Sequence, residues 1–176
     1  MKKIAFILFL SLCMFACKSE EKPSDKAQVE VPKKEKEWIV NVTMKSNKSD
    51  YFKLMMNNIE IDEFQTKNIH VIEKMEPTSS YETINARFGA NNISKTFKIF
   101  LGSKEVKELD IKSIDIAYGD KSIFMNSSQI TNNFNLNKFV EQDSVTMKIK
   151  TKRVDGKYYP VMVLKRKVIN QLIKEN

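Results

Sequence analysis

The chain has 176 residues, with 30 Lys and Arg against 22 Asp and Glu and a formal net charge of +8 at pH 7. That length suffices for one domain with a buried core and falls short of two. The charges are interspersed without a basic block, which argues against a nucleic-acid partner. A basic surface of this kind still suits phosphate and carboxylate groups on lipopolysaccharide, capsule or other acidic glycans.

The first segment is a leader. Lys2 and Lys3 give it a positive start, Ile4 to Leu12 is apolar except for Ser11, and the small Ala16 precedes Cys17. This is the architecture of a secretory signal. The apolar run is shorter than the roughly 20 residues an ordinary bilayer span needs. After Cys17 the chain turns abruptly polar, as KSEEKPSDK.

The four residues Met14, Phe15, Ala16 and Cys17 resemble the lipobox of bacterial lipoproteins. Met14 replaces the usual Leu, and Phe15 is bulkier than the usual Ala or Ser. The resemblance implies that residues 1–16 are removed as a lipoprotein signal peptide. It also implies that Cys17 carries a thioether-linked diacylglycerol and that its new amino group is acylated, typically with palmitate. Acyl chains contribute about 0.8 kcal/mol per buried CH₂, so two or three moor a protein stably with no polypeptide crossing the membrane. Lys18, Ser19, Glu20 and Glu21 are similar to the Lys-plus-acidic stretch that follows the lipidated cysteine in surface-exported lipoproteins of Bacteroidota. Lys18 is also not the Asp associated with inner-membrane retention. The implied location is the outer membrane, lipid-anchored; the Lys-plus-acidic stretch reads equally as a surface-export signal or as a solvated charged tether, so a periplasmic and a surface-facing orientation both stay open. With Cys13 in the signal and Cys17 lipidated, the mature domain has no thiol and no disulfide, so apolar burial must hold it together.

Residues 17–36 are expected to form the lipidated cysteine and a tether. Pro23, Pro32 and many charges leave too little apolar surface to offset chain entropy. A coil of that length spans roughly 25 Å. The domain is predicted over 37–176. Trp38, Val40 and Val42 alternate with Ile39, Asn41 and Thr43, the period of a strand. Further strands are predicted over Tyr51–Met56, Ile69–Met75, Tyr81–Phe88 and Thr96–Leu101. Ile111–Tyr118 and Lys121–Met125 read as a hairpin around Gly119 and Asp120. One or two strands are expected within Phe139–Lys150, then a turn at Asp155-Gly156 and a last strand over Tyr158–Val163. Ser127–Asn133 suggests one helical turn. Leu164, Val168, Leu172 and Ile173 mark one face of a helix over Leu164–Lys174. Some eight short strands at this spacing predict a mainly β fold, an antiparallel β-sandwich of jelly-roll type with a short C-terminal helix.

Within Lys98–Met125 a strand ends in Leu101-Gly102, a polar connection follows, and Ile111, Ile114 and Ile116 lead through Tyr118-Gly119 into another strand. This pattern resembles the core of galactose-binding-like jelly rolls, the sandwiches common in carbohydrate-binding modules and found in Bacteroidota lipoproteins. The likeness covers residues 37–150. It carries over no ligand-binding residue, and a fold of this kind does not by itself fix a function.

The residues offer little chemistry. His70 is the single histidine, and its place between Ile69 and Val71 turns it away from the core. Zinc is not expected without a second histidine or a mature thiol. No Gly-x-Ser-x-Gly elbow accompanies any serine. Glu60, Asp62 and Glu63 follow Asn57 and Asn58, oxygen ligands of the kind calcium takes, but EF-hand spacing is absent and a solvated loop is expected. Asp110 and Asp115 are expected to face water. Sugar rings stack on flat aromatic faces, and Trp38, Tyr51, Tyr81, Tyr118, Tyr158 and Tyr159 are the available platforms. Among them Trp38, Tyr158 and Tyr159 are the leading ligand-binding candidates. Phe52, Phe88, Phe97, Phe100, Phe124 and Phe139 are expected in the core.

Together these features predict a non-catalytic lipoprotein with no cofactor and no metal, held to the membrane by lipid and binding a glycan or another envelope component. The alternative is a structural or assembly subunit docking on an outer-membrane protein complex.

Overall fold

A computed structural model describes residues 36–57, 68–89 and 94–174. Cys17, the tether and the acidic cluster Glu60, Asp62 and Glu63 lie outside the described residues. Those described form an antiparallel β-sandwich with a short C-terminal helix.

The first sheet has β4 (Glu82–Phe88), β1 (Trp38–Ser46), β6 (Glu108–Tyr118), β10 (Ile149–Thr151) and β9 (Val140–Gln142) in that order, with β7 (Lys121–Asn126) also paired to β6. The second runs β3 (Asn68–Met75), β2 (Asp50–Asn57), β5 (Phe97–Phe100), β11 (Val161–Leu164) and β8 (Phe134–Leu136). Alternation sets which face is apolar. In β1, Trp38, Val40, Val42 and Met44 are fully buried, while Ile39, Asn41, Thr43 and Lys45 lie on the outer face. In the second sheet Phe52, Leu54, Met56, Phe97 and Ile99 face inward, so Lys53, Met55, Lys98 and Phe100 face outward. Residues from both inner faces join in one apolar cluster.

The long strand β6 keeps this pattern through a bulge. Pairing with β1 shifts register between Thr43 and Met44, so Lys112 is the extra residue and is exposed. Leu109 and Ile111 before it, and Ile114 and Ile116 after it, all face the core as a result, because one inserted residue resets the side-chain parity. Gly119, at φ +59°, turns β6 into β7. Asp155 and Gly156, at φ 51° and 71°, close a two-residue turn between Val154 and Lys157, the left-handed pair that such turns require.

Ser127–Gln129 forms a 3-10 turn running into α1 (Ile130–Asn133), and α2 (Arg166–Ile173) buries Val168, Ile169 and Leu172. Leu164 belongs to β11 rather than to the helix. The Phe139–Lys150 stretch resolves into β9 and β10, separated by a tight turn in which Asp143 accepts from the N–H groups of Val145 and Thr146. No described helix is long and apolar enough to cross a membrane.

Candidate functional site

The polar centre of the domain is a buried ion pair. Asp50 opens β2 in one sheet, and Lys107 immediately precedes β6 in the other. Both side chains are 0% exposed, and Lys107 Nζ donates to Asp50 Oδ2 at 2.6 Å. The two other ammonium protons have acceptors in the Leu101 carbonyl and the Tyr158 hydroxyl, each at 3.1 Å. The carboxylate also accepts from the backbone N–H of Tyr51 at 2.8 Å, Ser103 at 3.2 Å and Lys104 at 3.0 Å. Burial alone would raise the Asp50 pKa. The bond from Lys107 and the N–H groups of Lys104, Tyr51 and Ser103 outweigh it and hold the carboxyl below its ordinary value of 3.8. Every donor of the ammonium is used, so the pair acts as a clasp between the sheets.

Tyr158 and Thr151 complete the clasp. The Tyr158 hydroxyl donates to the Glu105 carbonyl at 2.6 Å and lies 2.8 Å from Thr151 Oγ1. Thr151 Oγ1 in turn accepts from the Lys107 N–H at 2.8 Å. Gly102 sits against this network at φ +92°. A Cβ built there would collide with the Asp50 carboxyl group and lie 2.8 Å from Lys107 Nζ. The position therefore needs glycine both for its left-handed backbone and for the close approach.

The clasp supports an aromatic shelf on the outer face of the second sheet. Tyr51, Lys53, Ile72, Phe100, Ser103 and Tyr159, with Gly102 at the base, line a cleft of about 200 Å³. Strand parity brings them together: Ile72 pairs with Lys53, and Lys53 with Phe100, so their side chains share one face. Phe100 and Tyr159 meet edge-to-face with ring centres 5.2 Å apart. Lys53 Nζ lies 5.2 Å from the centre of Phe100 and Lys104 Nζ 5.0 Å from that of Tyr51. Tyr51 is 50% exposed, Tyr159 58% and Ile72 49%. Flat apolar rings flanked by ammonium groups can stack a ring-shaped ligand and pair with its acidic or hydroxyl substituents.

The sequence candidates separate on this geometry. Tyr159 stands on the shelf. Tyr158 is half-buried, its hydroxyl committed to the clasp. Trp38 is fully buried and packs on Tyr118 at 5.1 Å, so the structure places it in the core and not on a surface open to ligand. Its position at the start of β1 with Val40 and Val42 already assigns it the inward face. Two phenylalanines expected in the core are not there. Phe100 takes the outer face because Phe97 and Ile99 take the inner one. Phe124 is 64% exposed because it pairs with Asp115 on the outer side of the first sheet. Tyr81 is exposed at a separate place, where its hydroxyl donates to Asp110 at 2.9 Å and that bond raises its pKa. His70 is exposed on β3. No group of three metal-ligating side chains occurs among the described residues.

Compared with known proteins, the chain matches no family model, no curated protein and no solved structure.

Proposed function

We propose that this chain is a non-catalytic lipoprotein, moored at the outer membrane through Cys17, whose β-sandwich binds a glycan or another envelope component on the aromatic shelf. The observation that carries the reading is the cluster of exposed Tyr51 and Tyr159 around the half-buried Phe100 on one sheet face, with Lys53 and Lys104 beside the rings. Exposed aromatic rings grouped in a cleft are uncommon unless something covers them. A lipid anchor with a tether of this length would keep the domain within reach of envelope polysaccharide.

The test is binding of the full-length protein, in detergent micelles, to an array of bacterial and plant polysaccharides, followed by calorimetry on the hits. Tyr159→Ala is expected to weaken binding about tenfold or more, equivalent to roughly 1.4 kcal/mol. Phe124→Ser, on the other sheet, is the control and should leave affinity unchanged. An array on which no glycan binds would overturn the reading.

Ile72 supports the second reading, a subunit docking on an outer-membrane protein complex, because an exposed aliphatic side chain at the rim suits a protein surface better than a sugar. Cross-linking to one outer-membrane protein, abolished by Ile72→Glu, would favour it.

A further inference from the structure

Accepting the shelf as a glycan site, we infer that its ligand is acidic: the juxtaposition of the Tyr51, Phe100 and Tyr159 rings with the ammonium groups of Lys53, Lys98 and Lys104, none of them ion-paired to a carboxylate among the described residues, selects a polysaccharide carrying carboxylate or sulfate groups.

Several lysines away from the shelf have carboxylate partners: Lys45 with Asp110, Lys48 with Glu105, Lys148 with Glu108, Lys150 with Asp143 and Lys152 with Glu141, at 2.6 to 3.6 Å. On the outer face of the second sheet Lys74 pairs with Glu76, but the three lysines around the rings do not share in such a pair. Among the described residues, no carboxylate lies within ion-pair distance of Lys53, Lys98 or Lys104. Glu76, whose charge reaches Lys104, is itself held by Lys74 at 2.5 Å. Lys98 follows Phe97 in β5 and faces outward beside Met55 and Val163. The face is therefore aromatic and cationic at once.

Two physical consequences point to an anion. Like charges on one face repel, and the arrangement gains when a ligand supplies the missing negative charge. The cation–π contacts also hold the Lys53 and Lys104 ammonium groups against ring surfaces rather than free in solvent, which reduces the entropy lost when they grip an anion. Water displaced by a stacked sugar would then strengthen each ammonium–carboxylate pair above its worth on an open surface. A cleft also suits a chain taken from solution better than it suits insertion among lipids, where aromatic side chains must protrude.

The experiment measures full-length protein, in neutral detergent, against matched probes: polygalacturonate, alginate and hyaluronan, each beside its carboxyl-esterified form. Phosphatidylglycerol–phosphatidylcholine vesicles are a further arm. The expected result is at least a tenfold preference for an acidic probe over its ester, shrinking as salt is raised. Lys53→Gln/Lys104→Gln should remove that preference, while Tyr159→Ala weakens both forms alike. Equal binding of acid and ester would overturn the acidic assignment and leave glycan binding standing. Binding to the anionic vesicles through the same lysines, with no polysaccharide bound, would overturn both in favour of a membrane surface. No binding to any probe would also overturn both.

Discussion

Replacing Lys107 by Met removes the ammonium group while keeping most of the side-chain volume. The consequence can be worked from the contacts. Asp50 loses the bond at 2.6 Å that neutralises it, and the Leu101 carbonyl and Tyr158 hydroxyl each lose a donor at 3.1 Å. The carboxylate stays fully buried with three backbone N–H groups and no counter-charge. Breaking one side of a buried pair costs about 3–5 kcal/mol, a large share of the roughly 5–15 kcal/mol that holds a typical domain. Urea unfolding of Lys107→Met against wild type is the assay. Asp50→Asn in the Lys107→Met background should recover part of the loss, since the orphaned charge is gone, and the double-mutant cycle should show coupling well above 1 kcal/mol. The pH dependence has a definite sign. Asp50 is depressed in the folded state, so its contribution is complete above the ordinary 3.8 and is lost as pH falls through the lower folded value. In Lys107→Met burial is opposed only by the three backbone N–H groups, which raises that pKa above its wild-type value, so the gap between variant and wild type should narrow in acid. A loss below about 1 kcal/mol at neutral pH would refute the claim that the pair is desolvated.

Gly102→Ala should destabilise by at least roughly 1–3 kcal/mol, from the left-handed backbone alone, with the collision at Asp50 adding to it; denaturant unfolding within about 0.5 kcal/mol of wild type would show that the loop yields freely. Metabolic labelling with palmitate should mark the wild-type chain and not Cys17→Ser, and the variant should leave the membrane fraction; unchanged fractionation would remove the lipid anchor from the account.

The sandwich was legible because alternation is a local signal. Trp38, Val40 and Val42 announce both a strand and its buried face, and the Asp155-Gly156 pair announces its turn. The three-residue step from Ile111 to Ile114 also held more than it first yielded: two inward residues an odd number apart in one strand require a bulge, which Lys112 provides. Parity also fixed Phe100, since Phe97 and Ile99 claim the core, yet residue type alone assigned it inward. The short β8 was hidden because Phe134-Asn135-Leu136 is too brief to show a period. The clasp left no local trace. Lys107 lies 57 residues from Asp50 and 51 from Tyr158, and nothing nearby distinguishes it from the other lysines of a basic chain. A pairing that joins one sheet to the other arises only when the two close on each other.

The clasp and the shelf belong to one arrangement, and energetics explain why. A buried ion pair adds little net stability over a well-packed apolar pair of equal volume. Its worth here lies in the groups it fixes. Asp50 binds the backbone N–H of Tyr51, Ser103 and Lys104, and Tyr158 binds the carbonyl of Glu105 while standing next to Tyr159. One buried carboxylate thus pins the chain that presents two shelf side chains, Tyr51 and Lys104, and Tyr158, whose hydroxyl belongs to the clasp, directly precedes a third, Tyr159. The left-handed bend at Gly102 lets the loop lie close enough for those bonds to form. A surface whose rings and ammonium groups are already fixed loses less freedom when a ligand arrives. An apolar substitute for the pair could hold the sheets together, but it would offer no acceptors to orient that loop.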